Sequence, residues 1–545
     1  MQRPALSSTH HPEAGVRASL AAALALAALT ALAAALAPSP AAAQDLAEFE
    51  RRTTVHTLDN GWTFVIVERP VAPVFTFATY AKVGSAQEVP GITGLAHMFE
   101  HMAFKGTETI GTTDYEAEKE ALAAMESAYQ AYQAARLAPQ PDPEEVERLR
   151  AEFEARQEAA GEYVVANEFD EILERAGGVG MNAFTNADWT GYFYSLPAHK
   201  VELFAFLESE RFANPVFREF YQERDVVQEE RRLRTESQPI GKLIEQFLTT
   251  AFIAHPYGQP TVGYMSDLQS ITMTDAREFF DTHYAPSNLV TAVVGDVDAE
   301  TLIPMLQRYF GRIPRRPDPP PLRTVEPEQI AAKRIAVEDP AQPIYVEGYH
   351  RPALTHPDQA VYDAIDDILS NGRTSRLYRS LVRDQKIASQ AASFSGFPGE
   401  RYPTLWLVYA IPARGVTNDR IEEAIGAELA RLLAEDVAEA ELQRYKTRTK
   451  ASLLRSLRSN FGLANEIARH QALFGDWRRL FTSIEQVEAV TAADVRRVAA
   501  ETFRPTNRTV AVIETEVAGP AAEPEPEAGG EAAEPAEGGD AASGR

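Results

Sequence analysis

The chain has 545 residues, 45% hydrophobic and 24% charged, a balance that excludes collagen-like, mucin-like and wholly disordered proteins. Lys plus Arg number 53 against 79 Asp plus Glu, a formal net charge of −26, and no basic stripe interleaved with aromatics occurs, which argues against nucleic acid as a partner. Cysteine is absent, so disulfides and thiolate sites are excluded and any metal must be held by histidine and carboxylate.

Arg3 and Arg17 precede an Ala/Leu run from Leu20 to Ala37, and Ala41-Ala42-Ala43 follows it. That order of charged, apolar and small residues reads as a signal peptide over 1–43, cleaved after Ala43. A spanning anchor is the rival reading, but alanine is weakly apolar and the small-residue exit favours cleavage. The expectation is an exported, periplasmic protein with no stable membrane anchor.

Strands are expected at Trp62–Val67 and Val74–Val83, and a helix at GLAHMFEHMAFKGT (94–107). This helix holds two of only eleven histidines, His97 and His101, four residues apart with Glu100 between them. Residues i and i+4 sit one above the other on a helix, so both imidazoles can reach one ion. Glu100 projects from a neighbouring angle, where it can touch an activated water without ligating. Zinc suits such a set, because it takes histidine nitrogens and a carboxylate and leaves a position for water, whose pKa it lowers.

From Tyr115 to about Val165 an Ala/Glu-rich stretch carries Leu122, Met125, Tyr129 and Tyr132, then Val146, Leu149 and Phe153, at helical spacing around a Pro139–Pro143 loop. It reads as an antiparallel helical hairpin. A strand at Tyr192–Leu196 follows, then a helix from about Phe217 to Ser237 with Glu219, Glu223, Glu229 and Glu230 as candidate third ligands. Glu223 and Glu230 are seven residues apart and share a face with Val226 and Val227, toward the core, whereas Glu229 points elsewhere.

ITMTDAREFFDTHYAPSN (271–288) returns as VTAADVRRVAAETFRPTN (490–507), with Thr272, Asp275, Arg277, Pro286 and Asn288 matched by Thr491, Asp494, Arg496, Pro505 and Asn507. Each copy is a capped helix, a turn and a β-branched strand. A repeat that long is a duplicated domain and not a solenoid. A proline-rich linker at 312–329 separates the halves, 45–311 and 330–517, and strands at Tyr345–Tyr349 and Thr404–Ile411 lie in the second. Helices and strands are mixed without regular βαβ spacing, so the class is α+β: two duplicated, related mixed α/β domains with a helical hairpin inserted in the first. The acidic Ala/Gly/Pro stretch 518–545 is expected to be a disordered tail.

The HxxEH string is the inverted zinc motif, and its surroundings resemble the pitrilysin/insulinase family, in particular its bacterial, mitochondrial-processing-peptidase-like branch. GLAHMFEHMAFKGT is similar to that family's zinc helix, MNAFTNADWTGYFYSLP (181–197) to its Asn-Ala-aromatic-Thr strand region, and ERDVVQEERR (223–232) to its third-ligand helix. The resemblance implies one zinc ion per chain on His97, His101 and Glu230, with Glu100 as general base and Glu223 orienting a ligand or water. It implies that Asn182, Ala183 and Phe184 lie by an edge strand onto which an extended peptide adds, although turn chemistry would also explain Asn182. It also implies a mitochondrial-processing-peptidase-like fold and a zinc endopeptidase that cleaves peptides or unfolded segments in a closed chamber. The alternative is a non-catalytic peptide-binding or scaffold subunit. In the family four related domains close the chamber and this chain has two, so a homodimer or a heterodimer with a second pitrilysin-like subunit is expected. Two departures stand out. The gap from His101 to Glu230 is longer than usual, and the hairpin accounts for the surplus. In LVRDQKIASQAASF (381–394) the substrate-binding Arg383 is present, but Gln390 stands where the resemblance leads one to expect tyrosine.

Overall fold

In the computed structural model, residues 46–515 are described; the expected signal peptide and acidic tail lie outside them. Strands β1 (Thr53–Thr57), β2 (Thr63–Glu68), β3 (Val74–Ala81), β4 (Val179–Thr185), β5 (Thr190–Pro197) and β6 (Leu289–Gly295) form one sheet in the order β1-β2-β6-β3-β5-β4. Strands β7 (Lys333–Asp339), β8 (Ile344–Arg351), β9 (Ala388–Phe397), β10 (Thr404–Pro412) and β11 (Arg508–Thr515) form a second, in the order β7-β11-β8-β10-β9. With β1 set aside, the two orders match strand for strand, and each sheet has a single parallel pair, β2/β6 and β7/β11. Every residue of β6 is buried, which is why LVTAVVG is a continuous apolar run and does not alternate. The class is mixed α and β, built from two related sheets with helices packed on both.

The repeated residues do the same work in both copies. Thr272 and Asp275 form a reciprocal capping box, with Asp275 N–H donating to Thr272 Oγ1 at 3.0 Å and Thr272 N–H to Asp275 Oδ2 at 2.9 Å. Thr491 and Asp494 repeat it at 3.2 and 3.1 Å. Asn288 Nδ2 donates to the carbonyls of His283 and Lys82, and Asn507 Nδ2 to those of Thr502 and His350. The repeated asparagine therefore ties a helix end to the neighbouring strand in each half.

Six helices matter below: α1 (Leu95–His101), α2 (Tyr115–Arg136), α3 (Pro143–Gly161), α4 (Phe220–Arg231), α5 (Pro239–Ala251) and α6 (Asn460–Phe474). Helices α2 and α3 form an antiparallel pair, each opened by an aspartate, Asp114 and Asp142, whose carboxylate accepts a first-turn amide; Pro143 occupies the first turn of α3. Helix α4 is shorter than its acidic, helix-forming sequence leads one to expect. Glu219, at φ 58°, interrupts the helical backbone before Phe220, and a broader π-helical turn, Arg232–Glu236, follows Arg231.

The halves are not self-contained. Helix α6, from the second half, lays Leu463, Ala464 and Ile467 on the first sheet against Val65, Ala78 and Ala292. Helix α5, from the first half, lays Leu243, Phe247 and Ala251 on the second sheet against Val346, Leu407 and Ala511. Each copy has sent its equivalent helix to cover its sibling's sheet. The proline-rich segment between them is pinned as well: Glu326 accepts the amides of Ile253, Ala254 and His255, and Gln329 donates to the Arg508 carbonyl. Among the described residues, no helix is long and apolar enough to cross a membrane.

Candidate active site

Helix α1 begins at Gly94 without a side-chain cap of its own. Its free amides are met by Glu88, a buried carboxylate that accepts from Gly94 N–H at 2.8 Å and Ala96 N–H at 2.7 Å. Burial raises the Glu88 carboxyl to about 8 against the pull of those two amides. Leu95, Met98 and Phe99 bury the other face of α1, which leaves His97, Glu100 and His101 toward β4 and α4.

His97 Nε2 lies 3.7 Å and His101 Nε2 3.3 Å from Glu230 Oε2, and donor atoms of these three residues all lie within 4.8 Å of one another. Two zinc bonds of about 2.0–2.1 Å at a tetrahedral angle set donor atoms about 3.4 Å apart, so the trio fits a zinc ion. Burial holds the His97 imidazole at about 4, neutral and able to ligate at ordinary pH. Among the described residues this is the one group of histidines and carboxylates spaced to hold a metal.

Glu223 fixes His101 from behind. Its Oε2 is 3.3 Å from His101 Nδ1, and its Oε1 is 2.5 Å from Lys105 Nζ, which also reaches Glu219 Oε2 at 3.2 Å. Burial alone would raise the Glu223 carboxyl, but the hydrogen bonds from His101 and Lys105 outweigh it and leave it below the ordinary value. His101 is raised, chiefly by its bond to Glu223. The free oxygen of Glu230 is paired with Arg234, while Glu229 is exposed and paired with Arg232. Glu100 is raised by burial, and the Thr185 hydroxyl of β4, near it, donates to the Ala96 carbonyl at 3.3 Å.

Asn182, Ala183 and Phe184 lie on β4, the edge strand of the first sheet, against which α1 packs. Asn182 Oδ1 accepts the Ala183 amide at 2.9 Å, a local bond of the kind that turn residues make, and the Phe184 ring packs between Tyr80 and Phe193. A cavity of about 260 Å³ opens beside His101, with Phe104, Met181 and Glu219 among its walls. Arg383 is not brought to this group. It lies exposed in the other half, with its guanidinium bound to Asp384 at 2.6 and 2.9 Å, and Gln390 on edge strand β9 donates to the Tyr409 hydroxyl at 2.6 Å. Sequence reasoning missed Glu88, Lys105 and Thr185. Lys105 sits one turn beyond His101, and that spacing is the signal that could have found it.

Two family models match the chain: one described as Insulinase (Peptidase family M16) over residues 63–148, and one as Peptidase M16 inactive domain over 270–449. The histidines and Glu100 fall in the first; the second runs from the end of the first half into the other and contains none of His97, Glu100, His101 and Glu230. The zinc protease PqqE of Helicobacter pylori is 29% identical over 468 residues, 84% of this chain and 91% of that protein. A probable mitochondrial-processing peptidase subunit beta of Arabidopsis thaliana is 24% identical over 82% of this chain and 75% of its own length. The crystal structure of a protease from Helicobacter pylori superposes with a TM-score of 0.71 at 28% identity, covering 85% of this chain and 99% of that one. The chain belongs to the pitrilysin/insulinase family of zinc metallopeptidases.

Proposed function

We propose that the protein is a zinc endopeptidase that hydrolyses peptides or unfolded segments, with His97, His101 and Glu230 holding one zinc ion per chain. The convergence of those three donor sets, with Glu100 one helical step away, is the observation that carries the reading. A bound zinc ion supplies Lewis-acid polarisation and an acidified water at neutral pH. The chain's own residues do the rest. Glu100, with its proton affinity raised by burial, takes a proton from the attacking water and delivers it to the departing amine nitrogen. Glu223 holds the His101 ring through Nδ1. The free edge of β4, at Asn182–Phe184, offers main-chain groups onto which an extended peptide adds as a strand.

Glu100→Gln keeps the size of the side chain and a polar end but removes the base. Turnover of a quenched-fluorescent peptide pool by the zinc-loaded chain should fall at least ~100-fold while bound zinc stays near one per chain. Equal turnover in the two proteins would sink the assignment. A non-catalytic peptide-binding or scaffold subunit is the second reading, favoured by Arg383, whose guanidinium is committed to Asp384 and has no bond to the metal group. That same arrangement supports pairing with a second copy or with a companion pitrilysin-like subunit, and the Arabidopsis relative is itself named as a subunit. The Ala/Leu run ahead of Ala43 supports action outside the cytoplasm, in the periplasm.

A further inference from the structure

The hairpin inserted between the histidine helix and the glutamate helix is wired to both. Arg218, just ahead of α4, is fully buried, and all five of its N–H donors are used. Nε and Nη2 hold the two carboxylate oxygens of Glu118, in the first turn of α2, at 2.6 and 2.7 Å. Nη1 donates to the carbonyls of Lys105 and Ile110 at 2.9 and 3.2 Å, and Nη2 to that of Thr107 at 3.1 Å. Glu118 is itself completely buried.

The loop that leaves the histidine helix is moulded around this guanidinium. A Cβ on Gly106 would fall 2.7 Å, and one on Gly111 2.9 Å, from Arg218 Nη1, and the two glycines have φ of +105° and +85°. The residue whose carbonyl Arg218 holds, Lys105, is the one whose ammonium grips Glu223, and Glu223 in turn grips the ligand imidazole of His101. An unbroken path of hydrogen bonds and ion pairs therefore runs from Glu118 through Arg218, Lys105 and Glu223 to His101. A second set of contacts ties α2 to α4 further along. The Arg224 guanidinium packs on the rings of Tyr129 and Tyr221 at 4.7 and 4.8 Å, and the Tyr221 hydroxyl donates to Glu126 at 2.5 Å.

We propose that the hairpin is part of the frame of the metal centre: Glu118, acting through Arg218, fixes Lys105 and with it Glu223 and the His101 ring, and so sets the zinc affinity of the site. Glu118, Arg218 and Lys105 are positioning residues. The inference rests on the reading of His97, His101 and Glu230 as a zinc site, and its test is chosen to separate the two.

In the full chain, Glu118→Leu with Arg218→Met removes both buried charges together, so neither is stranded. Zinc affinity, measured by competition with a chromogenic chelator, should weaken ~10–100-fold in the folded variant. Lys105→Met, which leaves the Glu118–Arg218 pair intact, should weaken it by a similar factor, and combining the changes should add little because they lie on one path. Hydrogen exchange of the zinc-free proteins gives a readout independent of metal. Amides at 105–110 and 219–231 should exchange faster in both variants. Wild-type affinity in both would overturn the proposal, as would faster exchange confined to 114–161. A wild-type chain that binds no zinc would overturn the metal reading instead, and the exchange pattern would still decide whether the hairpin holds α4. Should the double variant not fold, Glu118→Gln, which keeps the size of the side chain and an acceptor for Arg218, takes its place in the same two measurements, with the same outcomes expected and excluded.

Discussion

Asp363 and Asp366, one turn apart on the helix Gln359–Ser370, are both half-buried, with most of their surroundings taken up by protein atoms. Asp366 accepts from Trp406 Nε1 at 2.7 Å and from Ser393 Oγ at 2.9 Å, yet burial, with the neighbouring Asp363 adding to it, lifts its carboxyl to about 8. Burial lifts Asp363 to about 6 against the opposing charge of Arg351. A carboxyl raised on folding binds its proton more tightly in the native state. Its stabilisation is complete below the unfolded value of 3.8, declines as pH rises and is gone above the folded value, here about 8. Thermal midpoints of the wild type should therefore fall from about pH 5 to about pH 8, and Asp366→Asn, which keeps an acceptor for Trp406 and Ser393, should flatten that slope. An unchanged slope would mean that Asp366 is ionised throughout. The sequence shows these residues as two acids on an amphipathic helix, and nothing local marks them as half-buried. His97 and His101 were legible because their four-residue spacing is itself the geometry. Glu230 was not legible alone, since four glutamates share its helix and only the fold says which reaches the histidines. Arg218 was invisible for a related reason, since the Glu118 carboxylate it grips is 100 residues away in sequence; for Lys105 the spacing from His101 marks the position but not its partner Glu223.

At the scale of elements, local chemistry reads well wherever the partners are local. The two capping boxes follow from Thr-x-x-Asp spacing, and each satisfies two orphan amides at a helix start. Thr272→Ala and Thr491→Ala should each cost about 1 kcal/mol, read as a shift in the urea midpoint with unchanged slope. Because the sites lie in different halves, their effects should add in the double variant. The hairpin was legible for the same reason, from apolar residues at helical spacing and an Asp-Pro start. The beginning of α4 was not. Glu219 takes a left-handed backbone that its residue type does not announce, and the interruption turns Arg218 away from the helix axis and into the hairpin's base. Likewise the edge position of β4, which the family resemblance implied, is not readable from its own residues and follows from the pairing of β5 with β3 on its other side.

For the whole molecule, the duplication was written in the sequence as five residues in one register, and the strand orders of the two sheets repeat it. The exchange of α5 and α6 was not, because an amphipathic pattern states that a helix buries one face without saying on which sheet. A consequence is that residues 46–329, made alone, should fail to give a stable soluble monomer, since the surface of β3 and β6 that α6 covers would face water. Adding 330–515 as a separate chain should recover a folded complex, seen as co-elution with native-like circular dichroism. A stable first half would show that α6 is dispensable. The exchange also gives the two sheets different histories. A chain made from its N-terminus completes all six strands of the first sheet at Gly295, but the helix that covers them begins only at Asn460. At ~5–20 residues per second that is a delay of about ten seconds or more, during which Val290, Ala292 and Val294 stay open to any sticky neighbour. The second sheet has no such interval, because α5 is already waiting before β7 is made. A chaperone that shields nascent chains should therefore be needed early, by the half that carries His97, His101 and Glu230, and hardly at all by its copy.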